Sequence, residues 1–132
     1  MWYREYLGRP WVEYETGEAA FDCWGWVVFA LKKQYGIDDV PRCLDVKTGD
    51  HAAYARRAKK MIAGGQWRLV NEPANGDVVL MGDERHGLVQ HIGMVDTGRV
   101  LHCRQGAGVC VERLAVIKKQ FNKIQFWRHK SL

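Results

Sequence analysis

No stretch of this sequence approaches the ~20 consecutive apolar residues that a membrane-spanning helix needs, so no membrane span is expected. Proline is scarce, at three residues, and neither a repeated or low-complexity tract nor a linker divides the chain. Cysteine is sparse as well. The four at positions 23, 43, 103 and 110 form neither a C-x-x-C pair nor a dense secreted framework, which favours thiols over disulfides or zinc. The opening Met1-Trp2-Tyr3-Arg4-Glu5-Tyr6 lacks the basic-then-apolar layout of a signal peptide. The chain is therefore expected in a cytoplasm unless a machine carries it out. A formal net charge of +5 favours anionic partners, yet no RNA-binding or helix-turn-helix signature accompanies it. Arg56-Arg57-Ala58-Lys59-Lys60 and the later Lys118, Lys119, Lys123, Arg128 and Lys130 read as solvated surface, with no specific nucleic-acid site.

What is present suits one folded unit. At 132 residues the chain has the length of one domain, 1–132, and its 47% hydrophobic content excludes disorder over most of it. Six Trp, five Tyr and four Phe supply bulk for a core. A short helix over 1–7 is stopped by Gly8-Arg9-Pro10, and 11–21 read as loop. Asp22 caps a central helix in which Val27, Val28, Leu31 and Tyr35 recur at helical spacing until Gly36. Asp50 caps a second, peripheral helix that ends near Ile62. After Trp67 the period changes to two, with strands expected at 77–82, 89–96, 99–104, 107–112 and 122–128. Helices first and strands afterwards give an α+β domain with a sheet of about five antiparallel strands.

Cys23 follows the cap directly, where unpaired backbone N–H groups and the helix dipole stabilise a thiolate and could hold an oxyanion. Such a nucleophile needs a base. If Thr97-Gly98 is a two-residue turn, Asp96 faces Arg99, Val95 faces Val100 and Gly93 faces His102. His91 then lies diagonally across from His102 on one face, with Gly93 leaving room between them, while Ile92, Met94, Leu101 and Cys103 turn to the other face. A three-residue turn would reverse this assignment. His51, His86 and His129 receive no catalytic role, and a zinc site from Cys103, Cys110 and His102 fails because neighbours on a strand point to opposite faces.

Asp22-Cys23-Trp24-Gly25 with Val27, Asn75-Gly76-Asp77-Val78-Val79, His91-Ile92-Gly93-Met94-Val95, Val100-Leu101-His102 and Gly108-Val109 resemble, in order and spacing, the NlpC family of papain-like cell-wall cysteine peptidases. The resemblance spans 7–128, and Trp24 with Phe126-Trp127-Arg128-His129 is most similar to the branch found in bacteriophage tails. It implies a papain-like fold with Cys23 as nucleophile, His91 as general base and His102 as the residue that orients His91. Asp22 would cap the helix and brace the loop beside the substrate, and Gly25 would let the helix approach the sheet. Gly76-Asp77 would be the turn that opens the sheet. Trp11 or Tyr14 would line the substrate groove, and Trp24 is either a second groove wall or a core aromatic. The paired glycines that follow the groove aromatic in the family are replaced around Glu13-Tyr14-Glu15-Thr16-Gly17.

The function expected from this resemblance is hydrolysis of amide bonds in peptidoglycan stem peptides, commonly the bond from D-glutamate to a diamino acid, without a cofactor or metal. Phage tail proteins are the expected protein partners. Two alternatives use the same residues differently. One is a tail-assembly adaptor with a vestigial site, and the other is an amidase or acyltransferase with the same Cys-His-His set, since fold and triad do not fix the acyl donor.

Overall fold

A computed structural model describes residues 1–15, 18–42, 51–83 and 87–132, apart from the side chains at 51, 52, 54, 55, 59 and 87–90. After a short 3-10 turn, Arg4–Tyr6, the chain reaches helix α1, Cys23–Tyr35, which starts and stops where its caps dictate. Asp22 accepts a hydrogen bond from the Gly25 amide at the N-terminus, and Gly36 takes the left-handed conformation at the other end. Helix α2, His51–Ala63, is followed by strands β1 (Trp67–Val70), β2 (Val78–Asp83), β3 (Gly87–Asp96), β4 (Arg99–Arg104) and β5 (Gly108–Arg113). Helix α3 (Leu114–Gln120) and strand β6 (Lys123–His129) close the chain.

All six strands form one antiparallel sheet in the order β1-β6-β2-β3-β4-β5, one more strand than the pattern of alternation suggests. The additional strand, β1, is a four-residue edge strand, too short to display alternation. Its partner β6 pairs Trp67 with His129 and Val70 with Phe126. Helix α3, also unforeseen, is only seven residues long and starts without a side-chain cap.

The period of two sorts the sheet into two apolar faces. Val78, Leu80, Ile92, Met94, Leu101, Cys103 and Val109 face α1 and the N-terminal aromatics. Trp26 is stacked on Trp2 and edge-on to Phe21, while Tyr6 meets Phe29. The N-terminal segment thus belongs to the main core. Helix α2, expected at the periphery, packs on β3 and β1 and contributes buried Ala58 and partly buried Met61 and Ile62 to that core. On the other face, Val79, Met81, Val95, Val100 and Phe126 pack with Ile117 of α3.

Two tethers hold the sheet's ends. The turn into β2 falls on Asn75 and Gly76, one residue earlier than the expected Gly76-Asp77, and the fully buried Asp77 carboxylate receives Arg128 Nε and Nη2, each at 2.8 Å. The bidentate pair joins β6 to the start of β2. His129 is buried edge-on against Trp67 and accepts the Ser131 amide. The closing Phe126-Trp127-Arg128-His129 segment therefore anchors the fold. Among the described helices, none is long and apolar enough to cross a membrane.

Candidate active site

Cys23 is the first residue of α1, and 1% of it is exposed. Helix α1 packs on β3 and β4, and the Cys103 thiol donates to the Phe21 carbonyl at 3.2 Å. That contact fixes the N-terminal end of α1 over β4, one residue along the strand from His102. Asp22 holds this end from below: Oδ1 accepts from the Gly25 amide at 2.6 Å, and Oδ2 accepts from the Tyr14 amide at 2.9 Å. Arg42 reaches the same carboxylate at 3.4 Å. The expected cap and loop brace are both present, and both oxygens are engaged within the protein.

Gly25 has a different reason from the one anticipated. A Cβ there would collide with the Arg42 guanidinium and approach Asp22 Oδ1, so its absence makes room for the Arg42–Asp22 pair rather than for the sheet.

On the strands, the hairpin follows the two-residue turn. Thr97 and Gly98 have φ of 50° and 72°, and Asp96 pairs with Arg99, Val95 with Val100 and Met94 with Leu101. Two successive positive φ values match the right-handed twist of the strands. This register brings His91 Nε2 to 2.8 Å from His102 Nδ1, with the rings edge to face. Phe121, which follows α3, stacks on the outer side of His91.

The chain of contacts continues to a residue the sequence reading missed. His102 Nε2 lies 2.9 Å from Glu112 Oε1, and Arg104 Nη1 donates to the same oxygen at 3.2 Å. Gln120 on α3 accepts from Arg104 and donates to Glu112 Oε2. The signal was available in the next hairpin. In the observed register His102 pairs with Cys110 and Val100 with Glu112, so Glu112 lies diagonally across from His102 on its own face.

Electrostatics follow from this burial. His102 is fully buried, which pushes its pKa down, with Glu112 opposing in part. His91 is pushed down to about 3 by burial and by the neighbouring His102 and Arg104. Both rings are neutral at pH 7. Burial pushes Glu112 up, but His102 and Arg104 outweigh it and hold the carboxyl below its ordinary range, so it is ionised.

The groove residues divide. Trp11 and Tyr14 are half-buried beside the Cys23 end of α1, where Trp11 bridges to Phe21 and Tyr14 adopts φ of 62°. Trp24 is 6% exposed within the main core, and its ring N–H donates to the Pro41 carbonyl. The core aromatic, rather than the groove wall, describes those surroundings. Cys43, the side chain of His51, and His86 lie outside the described residues.

Among the described residues, His102, Cys110 and Glu112 bring donor atoms within 4.8 Å of one another. Cys103 turns to the opposite face and cannot join His102 at a metal, but Cys110, expected to be excluded with it, shares the face of His102. A cation on these three would have to displace Arg104 from Glu112.

A helix that opens on a cysteine and lies across an antiparallel sheet carrying a histidine pair is the architecture of papain-like cysteine peptidases. The model of the NlpC/P60 family matches residues 8–128, and the chain belongs to that family of cell-wall cysteine peptidases. Its fold is similar to that of the NlpC/p60 domain of the peptidoglycan hydrolase SagA, with a TM-score of 0.56 and 20% identity over 86% of this chain and 84% of that one. No curated protein matches the chain.

Proposed function

We propose that the chain hydrolyses amide bonds in peptidoglycan stem peptides, with the bond from D-glutamate to a diamino acid as its target. Cys23 is the nucleophile, His91 the general base and His102 the residue that orients His91. The observation that carries this reading is the 2.8 Å contact between His91 Nε2 and His102 Nδ1 on the strand pair against which the Cys23 helix packs. Because Nε2 is engaged, the base function falls to Nδ1 of a neutral ring, the protonation state from which a base must start.

The Cys23 thiol proton passes to His91 Nδ1 as sulfur bonds to the amide carbon, and the Cys23 amide with the α1 N-terminus stabilises the oxyanion. Collapse breaks the C–N bond, with the proton returned from His91 to the leaving amine. Water then attacks the thioester, giving one proton to His91 and releasing the carboxyl product as that proton returns to sulfur. Trp11 and Tyr14, on the loop braced by Asp22, line the approach.

The chain acts as a tail-associated hydrolase of a phage or prophage, made in the cytoplasm and carried to the wall. This placement rests on the resemblance at Trp24 and Phe126–His129.

Incubation with purified muropeptides, followed by mass analysis, tests the reading. The wild type should give two products whose masses sum to that of the substrate plus water, cut at the D-glutamyl bond. His91→Ala should lose roughly 10²–10⁴ of turnover, the range for removing a general base. His102→Gln, which can still bond to the imidazole, should retain a measurable part of it. Turnover undiminished in Cys23→Ala, or none in the wild type, would reject the peptidase reading. An acceptor mass in place of water would identify an acyltransferase, and a cut outside the stem peptide an amidase.

A further inference from the structure

We infer that Glu112 is a positioning residue of this site, an acceptor that acts through His102 to determine which nitrogen of His91 carries the proton. The inference rests on the reading of Cys23 and His91 as nucleophile and base. An ionised carboxylate can only accept, so the 2.9 Å contact with Glu112 Oε1 requires the proton of neutral His102 to sit on Nε2. His102 Nδ1 is then a bare lone pair. Its neighbour at 2.8 Å, His91 Nε2, must therefore donate, which leaves His91 Nδ1 unprotonated and basic.

The direction of the whole relay is thus set at its far end. Reversing it would leave two lone pairs, on Glu112 Oε1 and His102 Nε2, facing each other at 2.9 Å, with the nitrogen of the fully buried His102 unsatisfied at the cost of its desolvation. It would also put the resting proton of His91 on Nδ1, where it could not take one from a thiol.

Glu112 is itself held to this task. Arg104 Nη1 donates to Oε1 and Gln120 Nε2 to Oε2, so both oxygens are fixed and the charge is balanced. The glutamine comes from α3, immediately before Phe121, the residue stacked on His91. The short helix of the second face therefore supports the relay from two positions.

The tautomers can be read directly by long-range ¹⁵N–¹H NMR of the ¹⁵N-histidine-labelled protein at pH 7, without substrate. In the wild type both His91 and His102 should be protonated on Nε2 and bare on Nδ1. Glu112→Gln, whose carbonyl can still accept from His102, should keep that pattern. Glu112→Leu should mix or reverse the tautomers of both rings and lower kcat by about ten- to a hundredfold with little change in KM, the scale of losing a partner that orients a functional histidine. A wild-type His91 protonated on Nδ1 would overturn the inference, as would unchanged tautomers in a folded Glu112→Leu protein. If the leucine variant does not fold, the wild-type and glutamine spectra decide. Wrong tautomers with intact Cys23-dependent turnover would reject the role of Glu112 alone, and correct tautomers without turnover would reject the peptidase reading alone.

Discussion

The proton affinity of His91 is set by what surrounds its ring rather than by the ring itself. Burial and the nearby His102 and Arg104 penalise the imidazolium and push the pKa down to about 3, against about 6.5 in an unfolded chain. As the pH falls below 6.5, the unfolded state takes up a proton that the folded state refuses, so stability is lost progressively between about 6.5 and about 3. His102, also pushed down, contributes with the same sign. Thermal melts from pH 7.5 to 4 should show a falling midpoint with much of the fall already between 6.5 and 5, and His91→Gln should flatten that portion. A midpoint that is level from 7.5 to 5 would contradict the neutral, desolvated pair. This property could not be read from the sequence. The pairing of His91 and His102 follows from strand register alone, but their proton affinities depend on Arg104, Glu112 and α3, which converge only in three dimensions.

At the scale of elements, the β3–β4 hairpin does most to build the site, and one glycine decides whether it can. A Cβ at Gly93 would stand 2.7 Å from Val100 Cγ1, 3.0 Å from the Leu101 carbonyl and 3.2 Å from His102 Cβ. Gly93→Ala should therefore cost about 1–3 kcal/mol of overpacking and also lower turnover, since the strand carrying His102 must move. Gly98→Ala at the turn has open space around it but φ of +72°, so it should cost about 1–2 kcal/mol of backbone strain and leave turnover of the folded protein unchanged. Urea titrations with muropeptide assays separate the two effects. A Gly93→Ala protein as stable and as active as the wild type would show that the close approach is unimportant. This hairpin was fully legible because Thr97-Gly98 fixes register and register fixes every face. The following hairpin carried equally good information about Glu112, and it is the Arg104–Gly108 turn that translates it.

For the molecule as a whole, the two faces of the sheet divide the work. One face seats the body of α1 and the N-terminal aromatics; the other, packed with Ile117 of α3, carries the histidines and their acceptor. The caps of α1 and the alternation of β2 to β5 were visible in the chain because each is local. Edge strand β1, uncapped α3 and the role of Arg42 behind Gly25 were not, because long-range packing stabilises them rather than their own pattern. The same division predicts how the cysteines differ. Cys103 is pushed up to about 12 by burial and by neighbouring Cys23, and burial raises Cys110 as well, whereas Cys23 has the helix N-terminus to favour its thiolate. Site-mapped iodoacetamide labelling at neutral to mildly acidic pH, with muropeptide turnover followed on the same samples, tests the central claim most directly. Label should enter Cys23 ahead of Cys43, Cys103 and Cys110, and activity should disappear in proportion to that single modification. Uniform labelling of all four, or full turnover with Cys23 alkylated, would contradict the account.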